Sequence, residues 1–236
     1  MLSTTLRRAG RLLLYLALGW VLLSLLLVVP VRWLDPPGTA VMVQRAWQAD
    51  AEVFNRRWQW LAWEDIPRHA AMAVVTSEDQ RFPLHRGFDL EAIRDAWQDR
   101  TRRGQLRGAS TLSQQVARNL YLSTGRSWLR KGLEAWFTVL IEWFWPKERI
   151  LEVYLNIAEW GPNGVFGLEA ASQYHFGKPA TRLTPWESAL LAATLPSPAR
   201  YVPHNASPFM VERAQWNLGQ QRMLGTDWLA ALYDSR

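Results

Sequence analysis

From Leu12 to Val31 the chain carries no charged residue, and Leu and Val dominate. No other stretch constrains the fold as tightly. A helix of roughly 20 apolar residues matches the hydrocarbon core of a bilayer. Arg7, Arg8 and Arg11 flank its amino-terminal side; on the other side only Arg32 follows closely, and Asp35 partly offsets it. Basic flanks stay on the cytoplasmic side, so the N-terminus is expected in the cytoplasm and everything after Trp33 outside it. The run is long for the apolar core of a secretory signal, and no clear small-x-small cleavage site follows. An uncleaved anchor is therefore expected over a cleaved signal. Asp35-Pro36-Pro37-Gly38-Thr39 breaks the helix and closes the segment. The division that results is 1–35 as cytoplasmic tail and membrane anchor, and 36–236 as a domain on the far side of the membrane.

At 236 residues, the rest suffices for one domain. Hydrophobic residues make up 49%, enough for a core. The net charge of +6 asks for an anionic partner: nucleic acid, an anionic membrane surface or a phosphorylated ligand. The inferred topology puts the domain in the wrong compartment for nucleic acid. Lys occurs only at 131, 147 and 178, so the basic residues are nearly all Arg, which grips phosphate through a planar fork. The absence of Cys removes thiolate nucleophiles and thiolate metal sites, and fits an oxidising compartment. Trp is frequent, with 15 copies, and suits a membrane–water interface as well as a core.

Periodicity predicts helix after helix. Arg68 to Thr76 forms an apolar helix ending at the pair Glu78-Asp79. Asp89 to Arg100 shows Leu90, Ile93 and Trp97 on one face. A basic loop, Arg100 to Gly108, precedes a helix from Thr111 to Leu122, capped by Ser110 or Thr111. Ser127 opens a long helix into the apolar 135–145 segment, and Trp145-Pro146 separates it from a helix over Lys147 to Ala158. Further helices are expected near 168–175, 184–194 and 208–224. Almost no period-2 alternation occurs, so the expected class is all-α. Residues 40–63, with Trp47, Arg56, Arg57, Trp58, Trp60 and Trp63, are a candidate for the membrane surface.

Some residues suggest chemistry. Glu78 ends the apolar run Ala70-Ala71-Met72-Ala73-Val74-Val75. A carboxylate held against apolar surface has a raised pKa, which suits a general base; the plain alternative is a solvated Glu at a helix end. Gly108-Ala109-Ser110-Thr111 before a helix offers backbone N–H groups to a phosphate, or simply caps the helix. Arg130 and Glu134, at i and i+4, share a helix face, with Lys131 beside them. By period alone Glu152 is an exposed helix residue.

Several stretches in order then resemble one family, the glycosyltransferases that polymerise lipid II into peptidoglycan strands (glycosyltransferase family 51). These are Glu78-Asp79-Gln80-Arg81-Phe82-Pro83-Leu84-His85-Arg86-Gly87, Gly108 to Gln115 with Arg118-Asn119-Leu120-Tyr121-Leu122, Arg130-Lys131-Gly132-Leu133-Glu134, Lys147 to Asn156, and Gly161 through Lys178-Pro179. The likeness spans roughly residues 60–220 and is closest to the stand-alone, monofunctional form. It implies a lysozyme-like, all-α catalytic domain. It makes Glu78 the base that deprotonates the acceptor 4-hydroxyl, and Glu152 a second cleft carboxylate aiding departure of the pyrophosphate. It places Asp79, Phe82 and His85 beside the substrate, with Ser110, Thr111, Gln114 and Gln115. Arg118, Asn119, Arg130, Lys131 and Glu134 contact phosphate and sugar. Arg118 stands where relatives carry Lys, which keeps the charge and changes the fork geometry. The implied partners are lipid II, the growing glycan strand, the inner membrane and the division or elongation machinery. No cofactor is required by these residues, although a divalent cation, Mg or Mn, could assist. Two other readings remain open: a lytic enzyme of lysozyme-like fold, which also needs a Glu, and a membrane-anchored scaffold with a decayed site. Bifunctional relatives add a transpeptidase built on Ser-x-x-Lys. The residues three before the lysines here are Trp128, Phe144 and His175, so no such activity is expected.

Overall fold

A computed structural model describes residues 2–49, 54–103, 110–125, 127–225 and 227–234, with side chains apart from those of 2–5 and 97–103. Helix α1, Leu2–Val28, continues as a 3-10 turn over Val29–Arg32. Within the span Leu6–Arg32, the most apolar 18-residue window has a mean hydropathy of 2.7, and only 11% of that window is buried. Among the described residues it is the one helix long and apolar enough to cross a membrane.

The domain that follows is all-α and lysozyme-like. Its helices are α2 (Ala40–Gln48), α3 (Arg68–Glu78), α4 (Leu90–Arg103), α5 (Leu112–Tyr121), α6 (Trp128–Phe144), α7 (Lys147–Ile157), α8 (Leu168–Phe176), α9 (Pro185–Ala192), α10 (Pro208–Leu224) and α11 (Ala230–Tyr233). Side-chain caps start several of them: Thr39 accepts from Met42 N at 3.0 Å, and Thr111 and Thr184 each form a reciprocal capping box. α4 runs on to Arg103, past the Arg100 where a loop is expected, and residues 104–109, which include Gly108 and Ala109, lie outside the described residues.

α7 is the centre of the core. Every residue from Glu148 to Ile157 is buried, so its polar positions need partners inside the protein. Asn156 shows how this is met. Its Nδ2 donates to Leu61 O and Glu152 O, both at 2.9 Å, and its Oδ1 accepts from Leu61 N at 2.7 Å. Residues 54–63 are thereby wound into the domain. Trp58 Nε1 donates to Asn156 O at 2.8 Å, and Trp63 stacks on Tyr233 at 4.8 Å. Of the residues named as a candidate membrane-surface layer, Trp63 is buried and Trp58 and Trp60 are half-buried, while Trp47, Arg56 and Arg57 stay exposed. A small sheet, invisible to periodicity because its strands are two or three residues long, lies beside α7 and α8. Its order is β1 (Arg57–Trp58), β3 (Val165–Phe166), β2 (Glu159–Gly161), with β1–β3 parallel and β2–β3 antiparallel.

The last helical turns of α1 are knitted to the domain. Trp145 Nε1 donates to Val28 O at 2.9 Å, and Arg32 Nη1 donates to Phe144 O at 2.6 Å. Arg149 donates to Val31 O, Leu34 O and Asp35 Oδ1 at 2.9–3.0 Å. These side chains satisfy carbonyls at and just beyond the C-terminal end of α1, which has no partners of its own there.

Candidate active site

Helix α3 is buried from Ala70 to Thr76 and delivers Glu78 at its last position. Asp79 leaves helical geometry (φ −161°, ψ 77°), and the chain turns away through 79–87 toward α4. Gly87 closes this turn at φ +86°, where a Cβ would stand 2.8 Å from Thr138 Cγ2.

Two cavities flank the Glu78–Gln115 hydrogen bond, Glu78 lining the first and Gln115 the second. One, of about 410 Å³, is lined by Glu78, Asp79, Asp89, Asp95, Ser110, Thr111, Trp216 and Gln220. The other, of about 350 Å³, is lined by Arg45, Gln115, Arg118, Asn119, Arg130, Tyr154 and Glu159. Gln115 joins them: its Nε2 donates to Glu78 Oε2 at 2.8 Å, and its Oε1 accepts from Tyr154 O–H at 3.3 Å. Glu78 thus lines a polar, acid-lined hollow, and its hydrogen-bond partner Gln115 lines a hollow with three guanidinium groups.

Burial pushes the Glu78 carboxyl above the usual carboxylate range, and the negative charge of Asp79 adds to this. The Gln115 hydrogen bond, then Arg213, then Arg118, hold it back. Tyr154 is driven well above the usual phenol range, chiefly by burial, so it remains a neutral donor.

The pair Asp79–His85 is a support. His85 Nε2 lies 3.0 Å from both Asp79 oxygens, and Leu112 N donates to Asp79 Oδ2 at 3.0 Å. Gln114 N donates to Thr111 Oγ1 at 3.3 Å. The expected phosphate site at the start of α5 is therefore largely filled by the protein's own groups, with Asp79 as the anion at that helix end. Thr111 lines the first cavity but is buried, donating through Oγ1 to Gly87 O at 2.7 Å. Gln114 is buried in the capping box, its Oε1 accepting from Thr111 N at 3.0 Å. Phe82 is fully buried, with the Lys147 ammonium 4.3 Å from its ring centroid, and so belongs to the core and not to a substrate wall.

Arg130, Arg118, Asn119 and Gln115 come together as expected, at the second cavity. Glu134 lies behind them, 2% exposed: Arg130 Nη1 donates to it at 2.9 Å, and Lys131 Nζ also donates to it. Its carboxylate holds two cations in place.

Glu152 departs from expectation. It lines neither of these two cavities. It pairs with Arg149 Nη1 at 3.0 Å and faces a separate hollow of about 510 Å³ with Arg32, Trp33 and Asp35, at the end of the anchor. The reason is rotation: two positions along an α-helix turn a side chain by roughly 200°. With Tyr154 aimed at Gln115, Glu152 has to face elsewhere.

Sequence reasoning missed Tyr154 as a site residue because it reads as part of an apolar stripe. It also missed Arg213 and Trp216 on α10, which lie far from every motif. Asn217 brings them in, donating to Ala73 O at 2.8 Å and Ser77 Oγ at 2.7 Å, so that α10 packs on the end of α3. The Arg213 guanidinium lies 5.1 Å from the Trp216 ring. Arg45 was missed too; it pairs with Glu159 at 2.9 Å across the second cavity. Among the described residues no three His, Asp or Glu side chains gather as a cation cage. The side chains on view therefore do not fit a dedicated divalent site, and no step below is routed through one.

With this geometry in view, similarity to known proteins is informative. The transglycosylase family profile matches residues 47–222. The biosynthetic peptidoglycan transglycosylase of Pseudomonas putida KT2440 is 51% identical over 239 residues, covering 100% of this chain and 99% of the relative. Its namesake in Pseudomonas entomophila L48 is 52% identical, covering 95% and 94%. The one in Pseudomonas aeruginosa PAO1 is 52% identical, covering 86% and 88%.

Proposed function

This chain belongs to the transglycosylase family and is a peptidoglycan transglycosylase that polymerises glycan in cell-wall synthesis, and on that premise we propose that it draws its disaccharide units from lipid II. The observation that carries the reading is the Glu78–Gln115 hydrogen bond, which links the cavity that Glu78 lines to the guanidinium-lined cavity beside Gln115. The acceptor's 4-hydroxyl enters on the acid-lined side. Its oxygen attacks the anomeric carbon of the growing chain while its proton passes to the Glu78 carboxylate. The bond from that carbon to the polyprenyl pyrophosphate breaks, and the leaving group departs with the electron pair. One in-line displacement turns the α-linked donor into a β-1,4 linkage.

Each residue contributes a definable part. Gln115, fixed by Tyr154, aims the Glu78 oxygen. The raised pKa keeps the carboxylate a competent proton acceptor. Arg118 and Arg130 face the leaving pyrophosphate, with Lys131 behind them on Glu134, and neutralise charge as it gathers. Asp79 and His85 position the Glu78 turn. Glu152 is read as a positioning residue of the anchor joint, outside the chemistry. The anchor is read as single-pass, N-terminus inside, which keeps the domain beside a substrate whose lipid tail stays in the bilayer.

The test is direct. Purified protein given labelled lipid II should make long glycan polymer, and Glu78→Gln should reduce polymer formation by about 10²–10⁴-fold with the helical spectrum unchanged. Cleavage of preformed glycan in place of synthesis would establish a lytic enzyme. Near-normal synthesis by Glu78→Gln would remove Glu78 as the base.

A further inference from the structure

A third cavity, of about 750 Å³, opens between the 83–88 turn and the junction of α6 with α7, and shares no lining residue with the cavity that Glu78 lines. Its walls include Leu84, His85, Arg86, Trp143, Trp145 and Lys147. No step of the proposed reaction uses it.

Its location fixes what surrounds it. Trp145 is bonded to Val28 O, and the neighbouring Phe144 O to Arg32, so the cavity lies where α1 ends. That is the membrane–water interface if α1 spans the bilayer. Its outer lip is apolar and unpartnered: Trp143 is 80% exposed and Leu84 62%. A large exposed Trp at that level is the side chain that settles among lipid head groups.

Its interior is cationic and polar. Arg86 is exposed and forms no ion pair with any described residue. Lys147 Nζ shares its charge with Glu142 at 2.8 Å. The His85 side chain is 8% exposed, with Nε2 on Asp79, while Nδ1 is buried without a hydrogen-bond partner. A buried imidazole nitrogen left open is costly unless something fills the place. An apolar lip at the level where α1 ends, an exposed guanidinium and, in the imidazolium form of His85, an Nδ1–H donor together match one chemistry: a phosphodiester carried on two acyl chains.

We propose that this cavity is a binding site for the head group of an anionic membrane phospholipid. The phosphate meets Arg86 and the open edge of His85, and the acyl chains lie along Trp143 and the exposed side of α1. Because His85 also holds Asp79, next to Glu78, an occupied cavity stiffens the turn that positions the base. The site itself is independent of the reaction assigned above.

Native mass spectrometry of the full chain tests it, with the protein released from detergent micelles doped equally with phosphatidylglycerol and phosphatidylcholine. Wild type should retain one phosphatidylglycerol in preference to phosphatidylcholine. Arg86→Glu should retain it on the order of tenfold less, since each basic residue at a membrane surface contributes several-fold in affinity and reversal removes more than one such increment. Trp143→Ala, at an exposed position, should weaken retention independently. Arg222→Glu, an exposed charge reversal on α10, should leave it unchanged. Equal retention of the two lipids would overturn the proposal. So would undiminished retention by Arg86→Glu, or an equal loss in Arg222→Glu, which would show bulk charge and no placed site.

Discussion

Glu78 owes its chemistry to four neighbours: Asp79 just after α3, Gln115 and Arg118 on α5, and Arg213 on α10. Because Arg213 holds the carboxyl pKa down against burial, removing it should move that pKa further up. A base with a higher pKa loses its proton at higher pH. The acid limb of kcat/KM for Arg213→Ala should therefore shift to higher pH, with the plateau rate retained. An unmoved pH profile would make Arg213 a structural residue only. Glu152 gives the opposite case. Its carboxylate faces Arg149 and the anchor, so Glu152→Gln should keep turnover within about tenfold of wild type, a smaller loss than a general base shows, while lowering Tm through the weakened buried pair with Arg149. Lipid II turnover and a melting curve on the same sample separate these effects; a loss equal to that of Glu78→Gln would restore Glu152 to the chemistry.

At the scale of elements, the site depends on turns as much as on helices. Helix α8 follows β3 through Gly167, at φ +81° and ψ 155°, a region open in practice only to glycine. A Cβ there would stand 2.7 Å from Asn156 O, on the helix that carries Tyr154. Gly167→Ala should therefore lower stability by more than the roughly 1–3 kcal/mol of backbone strain alone. Gly177, which ends α8 at φ +66° with nothing within 4 Å of its would-be Cβ, provides the comparison. Gly177→Ala should cost about 1–2 kcal/mol. Chemical denaturation of the two variants gives the order, and equal losses would mean that the Asn156 contact relaxes easily.

For the molecule as a whole, anchor and domain form a continuous structure. Trp136 Nε1 donates to Ser24 Oγ at 3.1 Å, and Trp20 meets Phe137 edge-on at 6.1 Å. A polymerase built this way lengthens strands; cross-linking needs a different nucleophile. The three lysines of this chain follow Trp128, Phe144 and His175 at the spacing where a penicillin-binding site has Ser. The purified chain should accordingly give no covalent band with a fluorescent penicillin on a denaturing gel, and a band that survives denaturation would show a transpeptidase nucleophile.

Sequence alone determined the class of each segment. Twenty uncharged positions dictate a membrane-compatible helix, and the 3.6-residue period with its Thr and Ser caps dictates the helices, because both are local properties of the chain. Glu78, Gln115, Arg118 and Arg130 were legible as candidate site residues through the family resemblance of the stretches that hold them. The tertiary structure decided which of the marked polar residues face a cavity. Phe82 and Gln114 turned inward, Glu152 turned toward the anchor, and Asp79 took the helix end that a phosphate might have held. It also brought Tyr154 to the site from the apolar stripe of α7, and Arg45 and Arg213 from segments with no motif to mark them. The three short strands formed only because α7 and α8 hold them together. Which way a helix face points is set by the elements packed around it, and long-range packing of that kind leaves no period or spacing in the sequence to read.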